Sequence, residues 1–332
     1  MINELFYHIS PSVDPYHNLA LEEQLLLNVQ PGQCILYLWQ NAHTVVIGRN
    51  QNAWAECRAQ ELESSGGNLV RRLSGGGAVY HDLGNLNFTF LVRRADYDVD
   101  RQLSVICQAV RAFGLDARKT GRNDITVDGR KFSGNAFYRT GDCCYHHGTL
   151  LIHADTEKMS RYLQVSREKL QSKGVASVRS RVVNLQDLNE NITVETLCAQ
   201  LIAAFGVVYG GTPKLLPQDY INQSLLKERT DFFGSWLWRY GTRAELRSSV
   251  SKRFPWGSAE LRYSVKNGVL SEVELWSDGL EADLLASLPE QLRSCPFHPE
   301  ALQQRAGQIS TENEAQRTIV DDCFGLLISQ IE

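Results

Sequence analysis

The sequence contains no apolar run of the roughly eighteen or more residues needed to cross a membrane as a helix, so a membrane protein is not expected. Met1 to Tyr7 carries no basic stretch leading into an apolar one, so no secretory signal is expected either. None of the eight cysteines forms a Cys-x-x-Cys pair, which argues against a zinc site and a disulfide framework and for reduced thiols in a cytoplasmic protein. The net charge of −4 leaves no excess of basic residues, which argues against broad electrostatic binding of nucleic acid and leaves room only for a local basic cluster. There is no internal repeat and no low-complexity segment. What remains is ordinary globular composition, 43% hydrophobic and 22% charged, and 332 residues is enough for one large and one small domain.

The first chemically suggestive stretch is Arg71-Arg72-Leu73-Ser74-Gly75-Gly76-Gly77-Ala78-Val79-Tyr80-His81-Asp82. Arginine presents a planar fork of donors that suits carboxylate or phosphate. Consecutive glycines permit positive φ and close approach of a ligand to bare N–H groups. The stretch reads either as an anion cradle or as a plain turn between strands. It is not a P-loop, because no Gly-Lys-[Ser/Thr] follows, and no helix pattern opens directly after it as a dinucleotide fingerprint requires.

Periodicity places strands at Glu4–Ile9, Cys34–Trp39, Thr44–Gly48, Leu69–Arg72, Leu86–Val92 and Tyr145–Ile152. It places helices from Asp14-Pro15 to Val29, over Trp54–Ser64, Leu103–Phe113, Met159–Val165, Lys169–Lys173 and Thr193–Tyr209. A polar loop is expected over Gly174–Leu185 and a polar helix over Tyr220–Glu228, where composition shifts. The aromatic stretch Phe232–Tyr240, with Trp236 and Trp238, is expected to pack in a core or at a domain junction. A second module starts near Arg247: a hairpin around Asn267-Gly268, then helices over Glu281–Arg293, Pro299–Ala306 and Arg317–Ile331. Hairpins and short connections predict an α+β fold of mixed, largely antiparallel sheets with packed helices, spanning 1–244, plus a small α+β C-terminal domain over 245–332.

A second candidate site is the hairpin Asn123 to Ala136, turning at Asp128-Gly129. In the simplest register Val127 faces Arg130, Thr126 faces Lys131 and Asp124 faces Ser133. Asp124 and Lys131 then lie on a diagonal of one face, together with Thr126 and Ser133. That arrangement is either a surface ion pair of little energetic weight or a site where Lys131 neutralises an anion and Asp124 helps hold Mg²⁺. The adjacent His146 and His147 suggest a metal or a base. Neighbouring residues on a strand point to opposite faces, so the two cannot easily share one ion, and a strand end lining a pocket is the plainer reading.

Taken together, and in this order, Asp14 to Ala20, Val45 to Asn52, Arg71 to Asp82, Gly121 to Asp124, Arg130 to Ala136, His146 to Leu151 and Lys173 to Val182 resemble the lipoate–protein ligases of the biotin/lipoate ligase superfamily, in their two-domain form. The resemblance spans essentially the whole chain. It implies an enzyme that joins lipoate and ATP into lipoyl-AMP with release of pyrophosphate. The lipoyl group then passes to a lysine on lipoyl domains of 2-oxo-acid dehydrogenase complexes or on the glycine-cleavage H protein. It implies Lys131 as the catalytic residue, touching ATP phosphate and lipoate carboxyl oxygen. It implies Arg72, Gly77, Ala78, Val79 and Tyr80 as ATP-binding; Gly75, Gly76, His81 and His147, with Asn85 nearby, around lipoate; and Asp124 for Mg²⁺. Gly174 to Arg181 resembles an adenylate-binding loop. Val45, Val46, Val79 and Leu150 are candidate walls for the dithiolane tail. A monomer is expected. The rival readings are an octanoyl or lipoyl transferase of the same fold, which would need an activated cysteine, a biotin ligase, and a lipoyl-domain-binding protein without activity.

Overall fold

The computed structural model describes residues 2–121, 123–164, 182–240 and 248–331. The expected helix over Lys169–Lys173, the loop from Gly174 to Arg181, and the boundary at 244/245 with the module start near Arg247 lie outside the described residues. The chain divides into two compact units.

The larger unit carries an eight-stranded sheet. Its strands are β1 (Glu4–Ile9), β2 (Gln33–Trp39), β6 (Asn85–Arg93), β7 (Ala117–Thr120), β8 (Asp124–Val127), β9 (Arg130–Thr140), β10 (Cys143–Leu151) and β11 (Lys214–Leu215), in the order β11-β1-β2-β6-β10-β9-β8-β7. Only the β1 pairings with β2 and β11 are parallel. The sheet is therefore mixed and largely antiparallel, as the hairpin signals predict.

Both faces of the central strands are covered, which is why β2 reads as a continuous apolar run, while β6 alternates apolar residues with the buried Asn85, Asn87 and Thr89. One face, with Leu36, Leu38, Phe88, Phe90 and Val92, packs on the helices Val99–Arg111 and Val194–Tyr209 to form the main core. Leu150, a candidate wall residue, belongs to this core. The other face lies under the helix Pro15–Asn28, which Asp14 caps by accepting the Tyr16 N–H at 2.9 Å. That helix also buries Asn18 and Glu22, so this face is polar where the first is dry.

A second sheet in this part of the chain has the order β4-β3-β5, with β3 (Thr44–Ile47), β4 (Asn68–Arg71) and β5 (Val79–His81). The sequence reading missed β5 and β7, each only three or four residues long. The expected Trp54–Ser64 helix is two pieces, Ala53–Glu56 and Ala59–Ser64, because Cys57 between them bridges to Leu163 as an isolated strand contact. The helix expected at Met159 begins earlier, at Thr156, where Asp155 caps it. The polar helix expected at Tyr220 begins at Gln223, where Asn222 caps it, and runs to Gly234. Of the aromatic stretch, Phe233 and Tyr240 are buried, but Trp236 is 58% exposed, which corrects the core reading for that residue.

The smaller unit has its own core, built from β12 (Ser248–Phe254), β13 (Gly257–Lys266) and β14 (Val269–Ser277) in that order and the helices Ala282–Leu292, Pro299–Gln308 and Glu314–Ile328. The turn residues Asn267 and Gly268 have φ of 52° and 75°, the two left-handed positions of a type I′ turn. Residues 47–54 and 72–78 cluster with this unit rather than with the first, a grouping that nothing in their sequence announces. Within it the Gly76 N–H donates to the Gly279 carbonyl at 3.1 Å, the Ser277 N–H to the Asn50 carbonyl at 2.7 Å, and the Asn50 amide to the Ala282 carbonyl at 2.8 Å.

All eight cysteines are free and buried. Cys143 and Cys144 are the first two residues of β10, and the turn before them is Gly141-Asp142. Burial pushes the Cys57 and Cys323 thiols up to about 12 and that of Cys198 to about 11.

Candidate active site

Asp128 and Gly129 take φ of 51° and 73°, so the Asp-Gly turn forms as the sequence predicts. Val127 pairs with Arg130 and Thr126 with Lys131, again as predicted. The next step differs. The register shifts between Ile125 and Thr126, so Ile125 pairs with Ser133 and Asp124 with Gly134, not with Ser133. This is a β-bulge, and it leaves Phe132 as the extra residue. Phe132 is fully buried in the main core, and Ser133 shares the face of its buried partner Ile125. The expected four-residue face therefore loses Ser133.

The shift has a chemical result. Gly134 now sits across from Asp124, and the Lys131 side chain runs over it. A Cβ at Gly134 would lie 3.0 Å from Lys131 Nζ and 3.2 Å from its Cε. Lys131 Nζ meets Asp124 Oδ1 at 2.6 Å, and both side chains are a little over one-third exposed. At that exposure the pair adds little stability. Its effect is to hold one ammonium in one place beside solvent. The backbone of Lys131 is held from the other side as well, its carbonyl accepting the Val183 N–H at 2.9 Å. Gly134→Ala is expected to leave the melting temperature nearly unchanged, because only a flexible side-chain end must move. Activity that depends on the ammonium's position should fall about tenfold to a hundredfold. Equal activity in the two proteins would show that Lys131 need not lie over Gly134.

The polar face under the helix Pro15–Asn28 holds a second cluster. Tyr37, Thr89 and His147 are cross-strand neighbours on β2, β6 and β10. Glu22 reaches down to them: its Oε1 accepts from Thr89 Oγ1 at 2.7 Å and lies 2.8 Å from His147 Nδ1. Thr89 in turn accepts the Trp39 indole N–H at 3.1 Å. Glu22 is 2% exposed. A carboxylate that deep requires such partners, yet a glutamate within a helix pattern gave no signal of burial. His146, pointing the other way, lies in the main core within ring contact of Phe88, Phe90 and Phe137. The two histidines do face apart. Both sit in mid-strand and are buried, which corrects the reading of a strand end.

In the arginine and glycine stretch, Arg71 donates to the Trp238 and Arg239 carbonyls, both at 2.8 Å. Arg72 turns back on its own loop, donating to the Gly75 carbonyl at 2.7 Å, the Gly77 carbonyl at 2.8 Å and Ser74 Oγ at 3.0 Å. Of the three glycines only Gly76 has positive φ, 91°. Gly75 is required for closeness, since a Cβ there would sit 2.2 Å from the Gly279 carbonyl oxygen. A Cβ at Gly77 would meet none of the described residues within 4 Å. Ala78 and Val79 are half-buried, and Tyr80 is buried with its hydroxyl 2.9 Å from His43 Nδ1. His81 and Asn85 are buried, and Asn85 donates to Asn87.

Among the described residues no group of three or more His, Cys, Asp or Glu side chains could hold a metal ion, and no helix is long and apolar enough to cross a membrane.

Residues 14–206 match the model of the lipoyl protein ligase A/B catalytic domain, and residues 244–327 that of the bacterial lipoate protein ligase C-terminus. The chain is 37% identical over 331 residues to lipoate–protein ligase A of Psychrobacter cryohalolentis, covering 97% of this chain and 98% of that one. The structure of P. falciparum LipL1 in complex with lipoate superposes with a TM-score of 0.87 at 30% identity, covering 98% of this chain and all of that one. A lipoate–protein ligase A bound with ATP gives a TM-score of 0.63 at 27% identity, over 73% of this chain and 99% of that one. A bipartite lipoate protein ligase from Thermoplasma acidophilum, solved with its E2 lipoyl domain, gives 0.64 at 28%, over 74% of this chain and all of that one. Fold and relatives define an enzyme, a ligase. The chain belongs to the lipoate–protein ligase A family, with both the catalytic and the C-terminal parts.

Proposed function

We propose that the protein is an ATP-dependent lipoate–protein ligase working in two steps. In the first, a lipoate carboxylate oxygen attacks the α-phosphorus of ATP, pyrophosphate leaves, and the mixed anhydride lipoyl-AMP forms. In the second, the ε-amine of an acceptor lysine attacks the acyl carbon, AMP leaves, and the amine gives up a proton as the amide forms. The observation that carries the reading is Lys131. It is an ammonium fixed by Asp124 and by the close passage over Gly134 on a half-exposed strand face. Both partners of the first step are anions, and a positioned cation offsets their repulsion and the charge that develops on phosphate.

Lys131 is the catalytic residue in this reading, acting electrostatically and not as a covalent carrier. Arg72, Gly77, Ala78, Val79 and Tyr80 bind the nucleotide. Tyr80 would do so through its backbone, since its hydroxyl is engaged with His43. Gly75, Gly76, His81 and His147 border the lipoyl group. Asp124 helps hold Mg²⁺, which supplies positive charge on the phosphates. The acceptors are lipoyl domains of 2-oxo-acid dehydrogenase complexes and the glycine-cleavage H protein. The Thermoplasma ligase solved with its E2 lipoyl domain supports the first of these. The transferase alternative is disfavoured by the burial of all eight thiols. Lipoate-dependent exchange of pyrophosphate into ATP, followed by the mass gain of one lipoyl group on a lipoyl domain, tests the proposal. Acyl transfer without ATP, or no exchange, would overturn it.

A further inference from the structure

We infer that Asn18 and Asn41 are positioning residues that fix the tautomer of His81, so that the imidazole presents Nε2–H as a donor. The assignment follows from bond to bond along a buried relay. Asn18 Nδ2 lies 3.1 Å from the Ser12 carbonyl and 2.8 Å from the Gln40 carbonyl. Carbonyls only accept, so this end of the amide is the nitrogen. Its Oδ1 then accepts from Ser10 Oγ at 2.7 Å and from the Tyr37 hydroxyl at 3.1 Å. The reversed amide would set an oxygen against two carbonyl oxygens.

The same Asn18 Nδ2 lies 3.1 Å from the Asn41 side chain, so the Asn41 atom there is its oxygen. That leaves Asn41 Nδ2 facing His81 Nδ1 at 3.3 Å. An amide NH₂ can only donate, so Nδ1 is the acceptor and the hydrogen of the neutral ring is on Nε2. Asn18 and Asn41 are fully buried and His81 is 3% exposed. The Trp39 ring flanks the imidazole edge-on at 6.3 Å between centroids.

The inference rests on the reading of His81 as a lipoyl neighbour, and it specifies what that neighbour does. A donor suits every stage of the chemistry: the carboxylate, the acyl carbonyl of the anhydride and the amide all present oxygen acceptors. An acceptor nitrogen would repel them. Asn18 lies within the stretch Asp14 to Ala20 that carries the family resemblance, whereas Asn41 lies outside every such stretch.

The test uses the full-length protein with ¹⁵N-labelled histidine, with lipoate, ATP and pyrophosphate as exchange probes. The His81 nitrogens are expected to show Nε2 protonated and Nδ1 bare, and a protonated Nδ1 in the wild type overturns the inference. Asn41→Asp replaces the donor by an acceptor of the same shape, so the proton should move to Nδ1 and exchange should fall about a hundredfold. A moved proton with unchanged exchange overturns the inference. If Asn41→Asp does not fold, His81→Gln, which keeps an N–H on the Nε2 side, is compared with His81→Leu. Exchange should fall less than about tenfold in the first and about a hundredfold in the second, whereas equal losses count against the donor role. Absence of lipoate-dependent exchange in the wild type would sink the functional reading instead, while the tautomer would still be read from the spectrum.

Discussion

Lys131→Ala should lose lipoate-dependent ATP–pyrophosphate exchange by about a thousandfold or more, roughly 4 kcal/mol of transition-state stabilisation. Its thermal melt should stay close to that of the wild type. The two halves of this expectation rest on separate facts. The loss follows from removing the cation held at 2.6 Å from Asp124. The unchanged melt follows from the exposure of that pair, since a solvent-screened ion pair contributes little to stability. Lys131→Arg should not rescue fully, because a planar fork cannot occupy the narrow passage over Gly134 as an ammonium does. Exchange within tenfold of wild type in Lys131→Ala would remove the residue from the mechanism.

The second large effect concerns acid stability. His146 is fully buried, and burial first, with His147 and Lys119 second, lowers its pKa to about 3 from 6.5. As placed, its ring nitrogens lie 2.8 Å from Asn135 Oδ1 and 3.2 Å from Gln102 Oε1. Two acceptors would suit an imidazolium. However, Gln102 Nε2 is buried with no partner among the described residues, and turning that amide satisfies it with a neutral ring. The neutral form is also what a site among three phenylalanines favours. The folded pKa lies below the unfolded one, so the unfolded chain binds the extra proton. Stability is complete above pH 6.5 and is lost as pH falls toward 3, by about 1.4 kcal/mol per unit. Urea melts at pH 7.5, 5.5 and 4.5 should show the wild type losing about 3 kcal/mol more by pH 4.5 than His146→Gln, which cannot titrate. Parallel losses in the two proteins would mean that His146 is not the titrating group.

Local signals carried much of the fold. Asp128-Gly129 and Asn267-Gly268 have the one chemistry that favours left-handed φ at two successive positions, so both hairpins were legible. Asp14 and Thr193 cap helices because short side-chain acceptors satisfy free N–H groups. What escaped is decided across space. β5 and β7 are too short for periodicity to register, and the bulge at Phe132 reflects a contest between core packing and ladder register. The Lys131–Asp124 pair was legible from the hairpin, whereas Glu22 was not, because its burial is created by Thr89 and His147 on strands distant in sequence. The glycines were read as freedom for a ligand, but Gly75 is needed for its contact with Gly279.

The bulge has a consequence for how this strand tolerates change in length. An antiparallel ladder alternates with a period of two, so one extra residue is a half-period phase slip. Before the slip the alternation follows the turn and fixes Lys131; after it the alternation follows the core and fixes Asn135 and the rest of β9. Phe132 insulates the two phases from each other. Past Gly134, which the Lys131 side chain itself crosses, substitutions can repack the sheet without re-aiming the ammonium. A deletion of Phe132 would close the bulge and leave Ser133 opposite Ile125 and Gly134 opposite Asp124, so the register would hold while the core lost a fully buried ring.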